Sequence, residues 1–154
     1  MMEEVIIYTD GGCDPNPGPG GWAAVILRGG QRHELWGAEP ETTNNRMELT
    51  AAIEALRSLK MPSKVQLYTD SQYLQKGINE WMPKWLVKNW RGANGPVANQ
   101  ELWQELLNVS SRHQVTWQWL RGHNGNVENE RVDRLCRQAR AALNRGRLHQ
   151  RRGN

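Results

Sequence analysis

Val5-Ile6-Ile7-Tyr8-Thr9-Asp10 and Val65-Gln66-Leu67-Tyr68-Thr69-Asp70 are apolar, β-branched runs that share the ending Tyr-Thr-Asp. Each reads as a short buried strand that stops at its aspartate. Downstream of the first run, the Pro/Gly-rich residues 14–21 form a loop, residues 22–27 a second strand, and Arg28-Gly29-Gly30 a turn into a third strand over 31–37. Upstream of the second run, Leu49, Ala52, Ile53, Leu56 and Leu59 fall on one helical face that Pro62 ends. A helix between the third and fourth strands makes a parallel crossover.

Beyond Asp70, residues 71–78 and 100–107 read as helices and 115–119 as a fifth strand. A last helix carries Val132, Leu135, Cys136, Ala139 and Leu143 on one face. Between them, residues 81–96 are tryptophan-rich, basic and broken by Pro and Gly. The order β-β-β-α-β-α-α-β-α predicts an α/β fold, a five-stranded mixed sheet flanked by helices. Residues 1–143 make one domain, and residues 144–154 a basic tail that composition predicts to be disordered.

The net charge of +4 is unevenly spread. From Arg134 onward there are seven arginines and no acid, whereas the first 133 residues hold 13 basic and 16 acidic side chains. That asymmetry suggests a polyanionic partner, or else a tail that only aids solubility. No run approaches the roughly 20 apolar residues of a membrane span. The acidic start Met1-Met2-Glu3-Glu4 is unlike a signal peptide, and Cys13 and Cys136 form no metal-binding or disulfide pattern. A reducing, cytoplasmic compartment is expected.

If the two Tyr-Thr-Asp strands are neighbours, Asp10 and Asp70 lie about one strand spacing apart, roughly 4.8 Å, at the strand ends where α/β sheets bind ligands. Two ionised carboxylates so close repel unless a cation lies between them, and Mg²⁺, which takes oxygen ligands, is the natural candidate. Either aspartate alone reads equally as a cap on the turn or helix that follows. Glu48 sits near the start of the first long helix, where Asn45-Arg46-Met47-Glu48 has the spacing of a capping box. Asp133 lies between apolar Val132 and Leu135, where an acid needs a ligand or a partner such as Arg131 or Arg134.

Five ordered blocks then carry a specific resemblance. They are Tyr8-Thr9-Asp10-Gly11-Gly12-Cys13 with Asn16-Pro17-Gly18-Pro19-Gly20-Gly21-Trp22; Thr42-Thr43-Asn44-Asn45-Arg46-Met47-Glu48-Leu49; Tyr68-Thr69-Asp70-Ser71-Gln72-Tyr73; Gly122-His123-Asn124-Gly125; and Asn129-Glu130-Arg131 with Asp133. In this order and over nearly the whole chain they resemble the bacterial type I ribonucleases H. The resemblance implies that fold and an endonuclease cutting the RNA strand of RNA–DNA hybrids, leaving 3′-hydroxyl and 5′-phosphate ends.

By the same resemblance, Asp10, Glu48, Asp70 and Asp133 hold two Mg²⁺ ions, with Mn²⁺ an alternative, and His123 is catalytic. Cys13, Asn16, Asn44, Asn45 and Gln72 match positions that touch the hybrid. Trp81, Trp85 and Lys88 fall in a region that resembles a basic handle, thinned here by Leu86 and Val87. The Trp81-to-Trp85 spacing is also what core packing produces. A monomer with no obligatory protein partner is expected. The rival readings are a non-catalytic hybrid-binding module, and an exonuclease or integrase of the same broad fold. The exonucleases carry Asp-x-Glu on the first strand, where this chain has Asp10-Gly11-Gly12.

Overall fold

The computed structural model describes residues 2–92, 95–121 and 126–153, with residues 96 and 144–153 described by backbone alone. Three strands, β1 (Glu3–Cys13), β2 (Gly18–Arg28) and β3 (Gln31–Thr42), form an antiparallel meander. Helix α1 (Asn44–Arg57) crosses over to β4 (Ser63–Thr69), which pairs in parallel with β1. There follow α2 (Gln72–Lys76), a π-helical turn (Gly77–Trp81), α3 (Met82–Val87) and the short pair β5 (Arg91–Gly92) and β6 (Gly95–Pro96). Helix α4 (Gln100–Ser110), β7 (Gln114–Trp119) and α5 (Val127–Gly153) complete the chain. The main sheet has the order β3-β2-β1-β4-β7, the five-stranded mixed sheet expected.

The two Tyr-Thr-Asp strands are neighbours in register. Tyr8 stands opposite Tyr68, their rings stacked with centroids 4.7 Å apart and planes at 13°. The alternation of side chains sends Val5, Ile7, Val65 and Leu67 to one face, where α1 and α4 cover them with Leu49, Ile53, Leu56, Trp103 and Leu106. On the opposite face Ala23 and Val25 meet Val132, Leu135 and Cys136 of α5. Burying a side chain such as Ile7 or Leu67 in this way is worth about 1.5–3 kcal/mol each.

Several boundaries differ from the sequence reading. β1 does not stop at Asp10. Its pairing with β4 runs out at Tyr8, but its ladder with β2 continues through Asp10 opposite Ala23 to Cys13 opposite Gly20. Asp10 is therefore an in-strand residue and caps no turn. β3 extends past Gly37 and includes Pro40. A proline, with no N–H to give, is tolerated there because β3 is the edge of the sheet. α5 runs as one helix through residue 143 to Gly153.

Two packing devices fix the helices relative to the sheet. A Cβ at Gly77 would lie 2.0 Å from the ring of Trp103, so the missing side chain lets the π-helical turn rest on that fully buried indole. At the start of α5, Arg131 makes a paired contact with Glu34 of β3 at 2.8 Å, while Arg32 bridges Glu34 and Glu128. Arg131's hydrogen bonds, more than any other influence, pull the Glu34 carboxyl down to about 2. Among the described residues no helix is long and apolar enough to cross a membrane.

Candidate active site

Four acids from four elements converge at the end of the sheet where β1 outruns β4. Asp10 is placed by the β1–β2 ladder, and its Oδ1 accepts the N–H of Gly11 at 2.9 Å. Side chains alternate along a strand, so Asp10 faces the same side as Tyr8, the side that α5 covers. There the Asp10 carboxyl is hydrogen-bonded to that of Asp133. Burial first, then the charges of Asp70 and Asp133 and that shared hydrogen bond, push the Asp10 carboxyl up to about 8.

Glu48 sits where α1 passes over β1. A Cβ at Gly11 would come within 2.3 Å of the Met47 carbonyl carbon, and this close approach brings Glu48 to the site. The capping-box alternative does not hold. The helix is capped by Thr43, whose side chain accepts the N–H of Arg46, and the first turn of α1 contains no acid. Glu48 lies one step further along and accepts a very short hydrogen bond from the Ser71 hydroxyl. Burial and then the charge of Asp70 hold the Glu48 carboxyl up at about 7, against the lowering effect of that bond.

Asp133, between fully buried Val132 and Leu135, is paired with neither Arg131 nor Arg134. Arg131 is committed to Glu34, and adjacent positions such as 134 point elsewhere around the helix. The partner is Arg137, one turn on, at 2.5 Å. Beneath the acids Cys136 donates its thiol to the Gly21 carbonyl, and burial, then the charge of Asp10, pushes that thiol up to about 12.

The polar residues expected around the acids divide into two groups. Asn44 ties a loop together: its side-chain oxygen accepts the Cys13 N–H at 2.6 Å, and its own N–H donates to Asn16 Oδ1 at 3.2 Å. The Cys13 thiol donates to the carbonyls of Gly18 and Thr42. Asn45 and Gln72 are exposed on the first turns of α1 and α2. Trp81 and Trp85 both pack against the core flank, Trp85 meeting Trp103 edge-on with centroids 5.6 Å apart, while Lys88 is exposed. His123 lies outside the described residues.

Ser71, Arg137 and Cys136 were not singled out by sequence. Only Ser71 had a signal, being a helix-capping residue type directly after the second Tyr-Thr-Asp. Among the described residues no group of three or more acids, histidines or cysteines is already gathered into an ion cage. The donor chemistry nevertheless suits a hard divalent cation. All four groups are carboxylates, and two of them, Asp10 and Glu48, are driven to abnormally high pKa by burial and by the neighbouring charge of Asp70, with Asp133 adding to the rise at Asp10.

The RNase H family model matches residues 2–141. A ribonuclease H of Cupriavidus pinatubonensis is 57% identical over 92% of this chain and 99% of its own length. One from Granulibacter bethesdensis is 58% identical over 88% and 91%. The solved structure of LC9-RNase H1, a type 1 RNase H with the type 2 active-site motif, is 33% identical with a TM-score of 0.82, covering 92% of this chain and 74% of that one. LC11-RNase H1, solved with an RNA/DNA hybrid, shares the fold at 24% identity and a TM-score of 0.71, over 90% and 98%. By sequence over nearly its whole length and by fold, this chain belongs to the RNase H family of phosphodiester-hydrolysing nucleases.

Proposed function

We propose that the protein is an endonuclease that hydrolyses the RNA strand of RNA–DNA hybrids, using Asp10, Glu48, Asp70 and Asp133 to hold two divalent metal ions. The observation that carries this reading is the meeting of acids from β1, α1, the end of β4 and α5, close enough that burial and the charge of Asp70 raise both Asp10 and Glu48. Mg²⁺, or Mn²⁺ in its place, would supply an activated water and stabilise the leaving oxygen, giving 3′-hydroxyl and 5′-phosphate ends.

The chain's own residues prepare that chemistry. The N–H of Gly11 and the hydroxyl of Ser71 each hold one carboxylate oxygen in a fixed direction, so Asp10 and Glu48 present their other oxygens to the cleft. Arg137 steadies Asp133 from the solvent side. His123, on the stretch before α5, would accept or deliver a proton near neutral pH.

RNA is distinguished by its 2′-hydroxyl, and the amides of Asn16, Asn44, Asn45 and Gln72 can both donate to it and accept from it. Cys13 shapes the same loop. Lys88, beside Trp81 and Trp85, would meet phosphates of the duplex, which makes cutting largely independent of sequence. We place the enzyme in the cytoplasm, working as a monomer.

The test is a hybrid labelled on its RNA strand, incubated with Mg²⁺, with chelator, and with Asp10→Asn. Internal cutting of RNA alone, lost in chelator and reduced at least about a thousandfold in the variant, is the expected result. Tight binding without cutting in any divalent metal would overturn it.

A further inference from the structure

A cleft of about 570 Å³ opens beside Asp70, and the roles given above use only part of it. One wall is the end of β7. That strand keeps step with β4, Trp119 standing opposite Thr69, and the N–H of Leu120 donates to the Thr69 carbonyl at 2.8 Å. Arg121, two residues past Trp119, lines the cleft together with Ser71. The other wall is α2, where Gln72 and Gln75, three residues apart, share a face.

The Trp119 ring is stacked on Trp117 with planes at 7° and centroids 5.9 Å apart, so it is a fixed, half-buried plane. Arg121 is exposed. The cleft falls within the roughly 300–1,000 Å³ of ligand sites, but it is polar where small-molecule pockets are mostly apolar. It continues directly from a reactive carboxylate, and it combines an aromatic plane, two amides and a guanidinium. Those are the groups that grip a nucleic-acid strand one unit at a time.

We propose that this cleft is a subsite for the nucleotide adjoining the scissile phosphate on the RNA strand. Trp119 packs against its ribose, the Gln72 and Gln75 amides reach its 2′-hydroxyl, and Arg121 contacts the phosphate on its far side. The inference rests on the hybrid-cutting function above and adds Gln75, Trp119 and Arg121 to the substrate contacts. Ribose and phosphate contacts carry no base identity, so the subsite improves grip without imposing sequence preference.

The test uses hybrids with one fixed cleavage site and a single neutral methylphosphonate linkage walked along the flanking RNA. For wild type, one flanking position should raise KM about tenfold, as loss of a charged phosphate contact does. Arg121→Gln should raise KM about as much on the unmodified hybrid, more than it lowers kcat, and lower the salt slope of binding by about one. At that one position the two changes together should cost no more than either alone. Because Arg121 is exposed, its variant should melt with wild type. Trp119→Leu, checked the same way for folding, should also raise KM.

If the Arg121→Gln and methylphosphonate losses multiply at every position, Arg121 touches no flanking phosphate and the subsite is overturned. If wild type cuts hybrids and Arg121→Gln is indistinguishable from it, the subsite falls while the hybrid-cutting function stands. Wild type that binds but never cuts would overturn both.

Discussion

Replacing Ser71 by alanine removes two interactions made by one hydroxyl: the cap on the Leu74 N–H at 3.0 Å and the donor to Glu48. Loss of the cap alone should cost about 1 kcal/mol in urea unfolding. The loosened Glu48 should also raise the Mg²⁺ concentration needed for half-maximal cutting, whereas threonine should restore most of both. His113 gives a pH signature. Its Nδ1 accepts the Ser63 N–H at 3.1 Å, and its other ring N–H donates to the Leu56 carbonyl, so the neutral ring joins β4 to the end of α1. Burial, helped by the nearby Arg112 charge and opposed by the Leu56 bond, lowers its pKa. A histidine lowered in the folded state gives stability that is present above the unfolded value of about 6.5 and lost as pH falls through the folded one. His113→Gln should therefore show a flatter loss of stability below pH 6.5, while costing about 1 kcal/mol at pH 8. At this scale Asp10 and Asp70 are legible because each follows a Tyr-Thr pair in two matched apolar runs. Ser71 is not, because its partner Glu48 comes from another element, and Arg137 is only one of several arginines within a turn of Asp133.

The turn between α2 and α3 shows how one element depends on a residue outside it. Gly77 has ordinary helical dihedrals, so alanine there is excluded only by the Trp103 ring. Gly77→Ala should destabilise by about 1–3 kcal/mol as the turn is pushed off the indole, and a smaller residue at 103 should recover part of that loss. Melting the single and double variants would measure the coupling. Strand and helix order could be read from hydrophobic period alone, because the core faces alternate cleanly at Val5 and Ile7, and at Val65 and Leu67. The long end of β1 could not. Gly11 and Gly12 look like a stop, yet the ladder continues through them to Cys13, Gly12 pairing with Gly21 and Cys13 with Gly20 in what composition marks as loop. Glu48 likewise reads as part of a capping box because Asn45 looks like a cap, while Thr43 is the residue that caps the start of the helix.

Across the whole molecule the basic charge gathers in the C-terminal part of α5. Removing residues 144–154 takes away Arg145, Arg147, Arg151 and Arg152. If the tail meets phosphates, hybrid affinity should then depend less on salt, the log–log slope falling by at least about one. An unchanged slope would leave the tail only a role in solubility. The four clustered acids have a consequence for the fold itself. Asp10 is raised from its unfolded range to about 8, so its contribution to stability is fully present below about pH 4 and lost as pH rises through 8. Folding here works against electrostatic frustration that only function rewards, and the scaffold around it, from the β1–β2 ladder to the Arg131–Glu34 clasp, must hold the quarrelling groups in place. In chelator, Asp10→Asn should thus melt higher than wild type, by more at pH 9 than at pH 5. The most damaging change to the chemistry would yield the sturdier protein.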